Sequence, residues 1–277
     1  MTIPLRLRDL KAAALAVVLC LPGAARAAGD LDALLVALQM GETAALMREE
    51  GLRHAEGLVS DYTGEPAGAG WTALVGRIYD QAAMEEVIAQ DMAAALEGQD
   101  LGPMLAFFES ARGQRIVTLE LAARRALMAE GAEEAAILRY ELAEEDEKEI
   151  AAQVQQLMAD SDLVERNVSG MLNANLMFLR GLASGGSYDD SEEAMIRDVW
   201  AQEEDIRLDT LGWLGGYLML AYEPLQPGDL DAYIAFWQGA PGRALNAALF
   251  ETFNGLYDLH SFLLGRGLAE FVRSEEL

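Results

Sequence analysis

A 17-residue segment occurs twice in this chain, and this correspondence strongly limits the folds that the chain can adopt. Residues 100–116 align without a gap on residues 229–245, at an offset of 129 residues, and six of the aligned positions are identical. Upstream, Ile78-Tyr79-Asp80 resembles Val199-Trp200-Ala201 at an offset of 121 residues. A pattern repeated at this spacing predicts two related units in tandem.

Each copy of the segment has the pattern of two helices joined by a short turn. Asp100 and Asp229 are residues that cap helix N-termini, and Ser110 can cap the second helix of the first copy. In the second copy, Gly239 followed by Pro241 supplies a helix stop and an early helix proline. Both copies therefore predict a helix, a corner and a second helix.

The rest of the chain also has a helical pattern. Apolar residues recur at helical spacing, β-branched residues are sparse, and loops rich in glycine interrupt the pattern at 63–70 and 184–187. The apolar run 212–222 is too short to span a bilayer and predicts a buried helix. We expect an all-α, multi-helical protein in which a first unit, 28–158, and a second unit, 159–277, pack as one body.

The N-terminus has the features of an export signal. Three basic residues precede an apolar stretch at 12–21, and small residues follow at 24–27. This order predicts a signal peptide over 1–27, cleaved after Ala27, and export to the periplasm by the general secretion route. Cys20 is the only cysteine of the chain, so the predicted mature chain cannot form a disulfide or a cysteine-ligated metal site.

The charge balance disfavours several kinds of partner. Without residues 1–27, which hold one acidic and four basic residues, the chain has 45 acidic and 16 basic residues and a net charge of −29. Such a surface repels nucleic acid and anionic membrane surfaces, so we expect neither as a partner. The acidic runs 144–147, 189–193 and 203–205 lack the spacing of an EF-hand loop and are interpreted as solvated helix surface. We predict no bound metal ion and no cofactor.

Two histidines are the main candidates for acid–base chemistry. Glu50 and His54 share a helix face at i,i+4 and could form a catalytic base, part of a metal site or an ordinary surface pair. His260 lies between Asp258 and Ser261, but these side chains diverge on a helix, and catalytic triads are assembled from distant segments. Neither an H-E-x-x-H nor a G-x-S-x-G motif is present, and the sequence favours a protein that is not an enzyme.

The paired aromatic residues at the two corners have two interpretations. They either pack the corners or line a ligand-binding groove between the two units, and aromatic residues of this kind usually pack protein interiors. Asn175, in the helix that corresponds to the His54 helix, belongs either to such a site or to ordinary helix polarity. The residues of the predicted groove are Phe107, Phe108, Phe236, Trp237, His54 and Asn175.

The corner pattern of an aromatic pair, a short turn and Gly-Gln or Gly-Arg resembles an exported proteobacterial family, domain of unknown function 2059. The resemblance covers residues 30–271 and is most specific at the two corners. In that family the turn often carries Thr-Pro, and here 238–241 keeps the proline whereas 109–112 lacks it. The resemblance implies two helical copies in an exported acidic protein, and it implies no activity.

From the sequence we expect a non-catalytic binding or scaffolding role in the cell envelope. The expected partner is a protein or an apolar small molecule, and a homo-oligomer is compatible with the sequence. One alternative is a periplasmic hydrolase that uses carboxylates or His54. Another is a holdase-type chaperone, for which exposed methionines among the twelve would form an adaptable surface.

Overall fold

The computed structural model describes residues 22–63, 66, 68–186 and 191–275. These residues form thirteen helices and no strand, which confirms the all-α fold class. The predicted signal peptide lies outside the described residues as far as residue 21, and its last six residues begin the first helix. The helices are α1 (Pro22–Ala37), α2 (Met40–Thr63), α3 (Ala69–Ile78), α4 (Gln81–Ala95), α5 (Gly102–Phe108), α6 (Ala111–Leu127), α7 (Ala132–Glu145), α8 (Glu149–Asp160), α9 (Leu163–Gly185), α10 (Glu192–Trp200), α11 (Glu203–Tyr222), α12 (Asp229–Gln238) and α13 (Ala240–Glu275).

Local capping sets several helix boundaries. The Ser110 hydroxyl accepts a hydrogen bond from the Gly113 amide at 3.1 Å, so the predicted cap of α6 is confirmed. Asp100 is not the N-cap of α5, because Leu101 holds that position, but the Asp100 carboxylate accepts a hydrogen bond from the Gly102 amide at 3.0 Å. The prediction for Asp229 is wrong, because α12 follows Gly228 in the left-handed conformation, and Asp229 instead pairs with the Arg112 Nε at 2.7 Å.

The two corners, α5–α6 and α12–α13, have the same close backbone approach. A Cβ atom on Gly113 would lie 2.3 Å from the Phe107 carbonyl oxygen. A Cβ atom on Gly242 would lie 2.2 Å from the Phe236 carbonyl oxygen. Both distances are below van der Waals contact, so any larger residue would force the two helices of the corner apart.

The helices before and after residue 158 share one core. Helix α6, which precedes residue 158, packs along α11, which follows it. Helix α13, which also follows residue 158, packs along α3 and α4 before it and along α9. One cluster of buried side chains extends from Leu34 to Ala269 and includes most helices. The expected boundary between residues 158 and 159 falls inside α8, which packs against α12 and α11.

A smaller apolar cluster lies apart from the main core, between α9, α10 and α11. It consists of Val168, Leu172, Leu176, Met195, Val199 and Ile206. The predicted buried helix at 212–222 is the C-terminal half of α11, where Leu214, Leu218 and Met219 are buried. None of the helices that the structure describes combines the length and the apolar character needed to cross a membrane.

Candidate functional site

The four aromatic residues of the predicted groove pack against one another. Phe107 stacks on Phe236 with ring centroids 4.6 Å apart, and Phe108 meets Trp237 edge-on at 6.2 Å. Phe108 and Trp237 are buried in the main core. These contacts use the ring faces that a ligand would need, so the structure favours the corner-packing interpretation over the groove.

The other two predicted groove residues lie elsewhere. His54 is exposed on α2 and lines a separate cleft, whose lining includes none of the four aromatic residues. Asn175 is partly buried on α9 and does not line that cleft. The structure therefore unites the four aromatic residues but does not bring all six residues together.

The cleft beside His54 is the candidate functional site. It has a volume of about 440 Å³, opens to solvent, and lies between α2, α6, α7 and α11. One side is apolar, formed by Leu58, Leu127, Met128 and Trp213, and polar side chains from α2, α6 and α7 complete the lining. Its size falls in the range of small-molecule sites, which combine apolar walls with a few polar groups.

An ion pair forms one part of the cleft wall. The Arg124 guanidinium donates hydrogen bonds to both Glu50 carboxylate oxygens, at 2.8 and 2.7 Å, and a third to the Tyr257 hydroxyl at 2.9 Å. Burial lowers the pKa of Arg124, but Tyr257 and Glu50 raise it by more, so the guanidinium stays charged. A bidentate pair of this kind holds α2 and α6 in one orientation.

A second buried acid lies one turn before Arg124 on α6. The Glu120 carboxylate accepts hydrogen bonds from the Tyr222 hydroxyl at 2.6 Å and from the Tyr233 hydroxyl at 2.8 Å. Burial raises the pKa of Glu120, and the two hydrogen bonds oppose this effect. Because Tyr222 and Tyr233 come from α11 and α12, Glu120 links the helices that support the cleft.

Trp213 is fixed in the cleft wall by a ring contact. It stacks on Tyr217, four residues later on α11, with centroids 5.1 Å apart and ring planes 17° from parallel. Burial, and secondarily the charge of Glu120, raises the pKa of Tyr217, so this phenol stays neutral. The apolar wall is therefore supported from behind by a neutral aromatic side chain.

The two histidines lack the arrangement of a catalytic group. Among the described residues His54 makes no hydrogen bond to a carboxylate, and Glu50 is bound to Arg124. His260 is buried with its ring 4.5 Å from that of Tyr79, and its Nδ1 atom has no hydrogen-bond partner in the part of the chain that the structure describes. Burial lowers the pKa of His260 to about 4. Among the described residues, no group of three or more His, Cys, Asp or Glu side chains could hold a metal ion.

The methionines do not form the surface that a holdase would use. Of those in the described part of the chain, Met171 alone is exposed, while Met84, Met92 and Met104 are almost fully buried. Met128 reaches the cleft but is half-buried. The observed positions give the chaperone alternative no support.

The sequence analysis missed Arg124, Glu120 and Trp213 as site residues. Arg124 is one of two adjacent arginines on α6, and no sequence pattern marks which of the two turns inward. Trp213 and Tyr217 do share one helix face at i,i+4, and this spacing was a usable signal. The pairing of Arg124 with Glu50 spans 74 positions and depends on tertiary packing.

The fold and the site define an all-α protein with an open, partly apolar cleft supported by buried hydrogen bonds and ion pairs. Residues 82–138 match the model of a family described as "Uncharacterized protein conserved in bacteria (DUF2059)". This segment, from α4 into α7, contains the first corner together with Glu120 and Arg124. The match supports a domain of unknown function in that part of the chain. No curated protein and no solved structure matches the chain.

Proposed function

We propose that this protein binds an apolar molecule, or an apolar side chain of a partner protein, in the cleft beside Trp213, without catalysing a reaction. The observation that carries the proposal is the cleft of about 440 Å³, in which Trp213 and its apolar neighbours face two ion-paired arginines. The proposed site is a binding surface in the cell envelope.

The two arginines of the cleft do not require an anionic ligand. Arg124 is neutralised by Glu50, and Arg53 donates a hydrogen bond to the Met128 carbonyl oxygen at 2.7 Å and lies 3.5 Å from Glu49. Neither guanidinium needs an anion from the ligand, because each already has a carboxylate partner. The exposed imidazole of His54 also lines the cleft and can form hydrogen bonds with a ligand.

The proposed architecture consists of two tandem copies of one helical unit. The corners at Gly113 and Gly242 have the same backbone contact, and Phe107 stacks on Phe236, its partner at the offset of 129 residues. Contact between equivalent residues is typical of a two-fold axis. The packing of α1 on α5 parallels that of α8 on α12, so we place the start of the second unit at α8 rather than at residue 159.

Export is the second part of the proposal. The basic, apolar and small-residue order of 1–27 supports cleavage after Ala27. Intact mass spectrometry of the protein recovered from the periplasmic fraction should give the mass of residues 28–277. Recovery of the uncleaved chain from the cytoplasm alone would overturn this part.

The binding proposal is tested by native mass spectrometry of the protein purified from its own periplasm. We expect the wild-type protein to retain a bound molecule, and Trp213→Ala to lose it. The matched control is Leu142→Ala, because Leu142 is an exposed apolar residue on α7 that does not line the cleft. Repeated recovery of bare wild-type protein, or equal retention by Trp213→Ala, would contradict the proposal.

A further inference from the structure

Helix α3, in the first unit, is covered by the C-terminal half of α13. Val75 and Tyr79 are 1% and 8% exposed. The Tyr79 ring lies 4.5 Å from the ring of His260, and the Trp71 ring lies 5.7 Å from that of Phe271. An apolar helix face is thus buried here by a second helix laid across it.

The corresponding face of α10 is uncovered. At the offset of 121 residues, Val75 and Tyr79 correspond to Ile196 and Trp200, which are 40% and 49% exposed. Ile196 and Trp200 are four positions apart and share one side of α10. We call these two residues the α10 face. A paired isoleucine and tryptophan open to solvent are typical of an interaction site.

The reason for the exposure is a difference in helix length. In the two-unit arrangement, α6 corresponds to α13, but α6 has 17 residues and α13 has 36. The difference of 19 residues amounts to about 28 Å of helix at 1.5 Å per residue. Helix α6 packs along α11, and α9 is the main neighbour of α10.

The opposite side of α10 is covered, since Met195 and Val199 are 4% and 0% exposed. Met195 and Val199, on α10, belong to the small cluster that is separate from the main core. Their counterparts Leu74 and Ile78, on α3, pack against the main core. The apolar layer that the second unit lacks is therefore the one over the α10 face.

The charges around the α10 face indicate the nature of the missing layer. Four acidic residues on α10 and α11 close to it in sequence, Glu193, Glu204, Asp205 and Asp209, form no ion pair in the described part of the chain. Glu193 lies three positions before Ile196 and shares its side of α10, and Arg197 on the same helix is paired with Asp198. A carboxylate near an exposed apolar pair complements an apolar stripe flanked by lysine or arginine.

We propose that the α10 face binds a basic amphipathic helix of a partner protein, in the way that the C-terminal half of α13 covers α3. The inference rests on the two-unit arrangement proposed above and is independent of the cleft at Trp213. Recognition of an amphipathic helix by an apolar face uses anchors at i and i+4, and Ile196 and Trp200 supply this spacing.

The probe is an 18-residue, fluorescently labelled peptide of leucine and lysine, with leucines at helical i, i+3, i+4 and i+7 spacing. Fluorescence anisotropy measures its binding to residues 28–277. We expect Ile196→Gln with Trp200→Ala to weaken binding at least tenfold. Val36→Gln is the matched control, because Val36 is an exposed apolar residue on α1 (76% exposed), and it should change binding less than twofold.

Two further measurements separate helix recognition from charge attraction and from misfolding. A scrambled peptide of the same composition should bind at least tenfold more weakly. Glu204→Gln with Asp205→Asn leaves the apolar face intact and should weaken binding and reduce its salt dependence.

Three outcomes would overturn the proposal. The first is equal affinity of wild type and Ile196→Gln/Trp200→Ala for the peptide, with both proteins folded by circular dichroism. The second is equal binding of the ordered and scrambled peptides. The third is wild-type self-association through the α10 face without peptide binding, which would make a second copy the occupant.

Discussion

Replacing Gly113 by alanine tests the corner at which α5 and α6 meet. A Cβ atom at this position would lie 2.3 Å from the Phe107 carbonyl oxygen and 2.7 Å from the Phe108 Cα atom. Both contacts are with backbone, so no side-chain rotation relieves them. To accommodate the alanine side chain, the corner between α5 and α6 must open or the start of α6 must shift.

The expected cost follows from three contributions. Overpacking against backbone costs about 3 kcal/mol, the upper part of the usual range. Displacement of the Gly113 amide weakens the Ser110 cap, which contributes about 1 kcal/mol. Alanine is favoured over glycine inside a helix by about 1 kcal/mol, which offsets part of the cost. The net loss of unfolding free energy is about 3 kcal/mol, or a decrease in Tm of about 6–12 °C for a chain of this size.

The assay is urea denaturation of residues 28–277 followed by far-UV circular dichroism, with Gly255→Ala as control. Gly255 lies inside α13, and a Cβ atom there meets nothing within 4 Å. The control should therefore stabilise the protein by about 0.5–1 kcal/mol. Gly242→Ala should lose as much stability as Gly113→Ala. A Gly113→Ala protein as stable as wild type would refute the reasoning about the corner.

Three further predictions concern the buried polar groups. Because burial raises the pKa of Glu120, its contribution to stability is complete below about pH 4.5 and is lost as the pH rises through the raised value. Glu120→Gln should have a larger free energy of unfolding than wild type at neutral pH in urea titrations. A wild type that is more stable than Glu120→Gln at this pH would contradict the prediction. Burial lowers the pKa of His260 from 6.5 to about 4. Between these values the unfolded chain takes up a proton that the native chain does not. The free energy of unfolding of the wild type therefore falls by about 3 kcal/mol as the pH falls from 6.5 to 4. His260→Leu should lack this part of the pH dependence. An unchanged slope of unfolding free energy against pH would show that His260 is not its source. Arg124→Met should cost about 1–3 kcal/mol by leaving the Glu50 carboxylate unpaired, whereas Arg125→Met, whose ion pair is exposed, should cost under about 0.5 kcal/mol.

Much of the helical framework could be predicted because short-range interactions determine it. The Ser110 cap involves residues three positions apart, and Asp80 caps α4 in the same way through the Ala83 amide. The helix stop at Gly239 likewise precedes α13 directly. Asp229 does not cap α12 despite its short-range preference for that position. Gly228, in the left-handed conformation, holds the N-cap position, and Arg112 binds the Asp229 carboxylate.

The cleft could not be predicted because α2 and α11, which form two of its sides, are distant in sequence from α6 and α7. Arg124 and Arg125 are the same residue type on the same helix, yet one is held by Glu50 at 2.7 Å and the other lies 3.9 Å from Glu49 at the surface. Their different roles depend on how α6 rotates against α2. Periodicity alone leaves this rotation open when both faces of the helix carry mixed residues.

The aromatic pairs show a different limit of sequence reasoning. The alignment at 129 residues identified Phe107 and Phe236 as equivalent, but it did not show that equivalent residues face each other. Their stacking at 4.6 Å makes each ring the cover of the other. A ring that would be available to a ligand if one copy of the segment stood alone is thus covered by the equivalent ring of the other copy.

The two proposed binding surfaces both lie where the proposed two-unit arrangement departs from symmetry. Where the units correspond, at the corners and aromatic pairs, equivalent side chains bury each other and leave no surface for a partner. The cleft depends on α7, the last helix before the proposed second unit, which provides Glu133 to its lining. The α10 face is open because α6 is shorter than α13. Under the proposed two-unit arrangement, the departures from two-fold symmetry are therefore the places to test for function first.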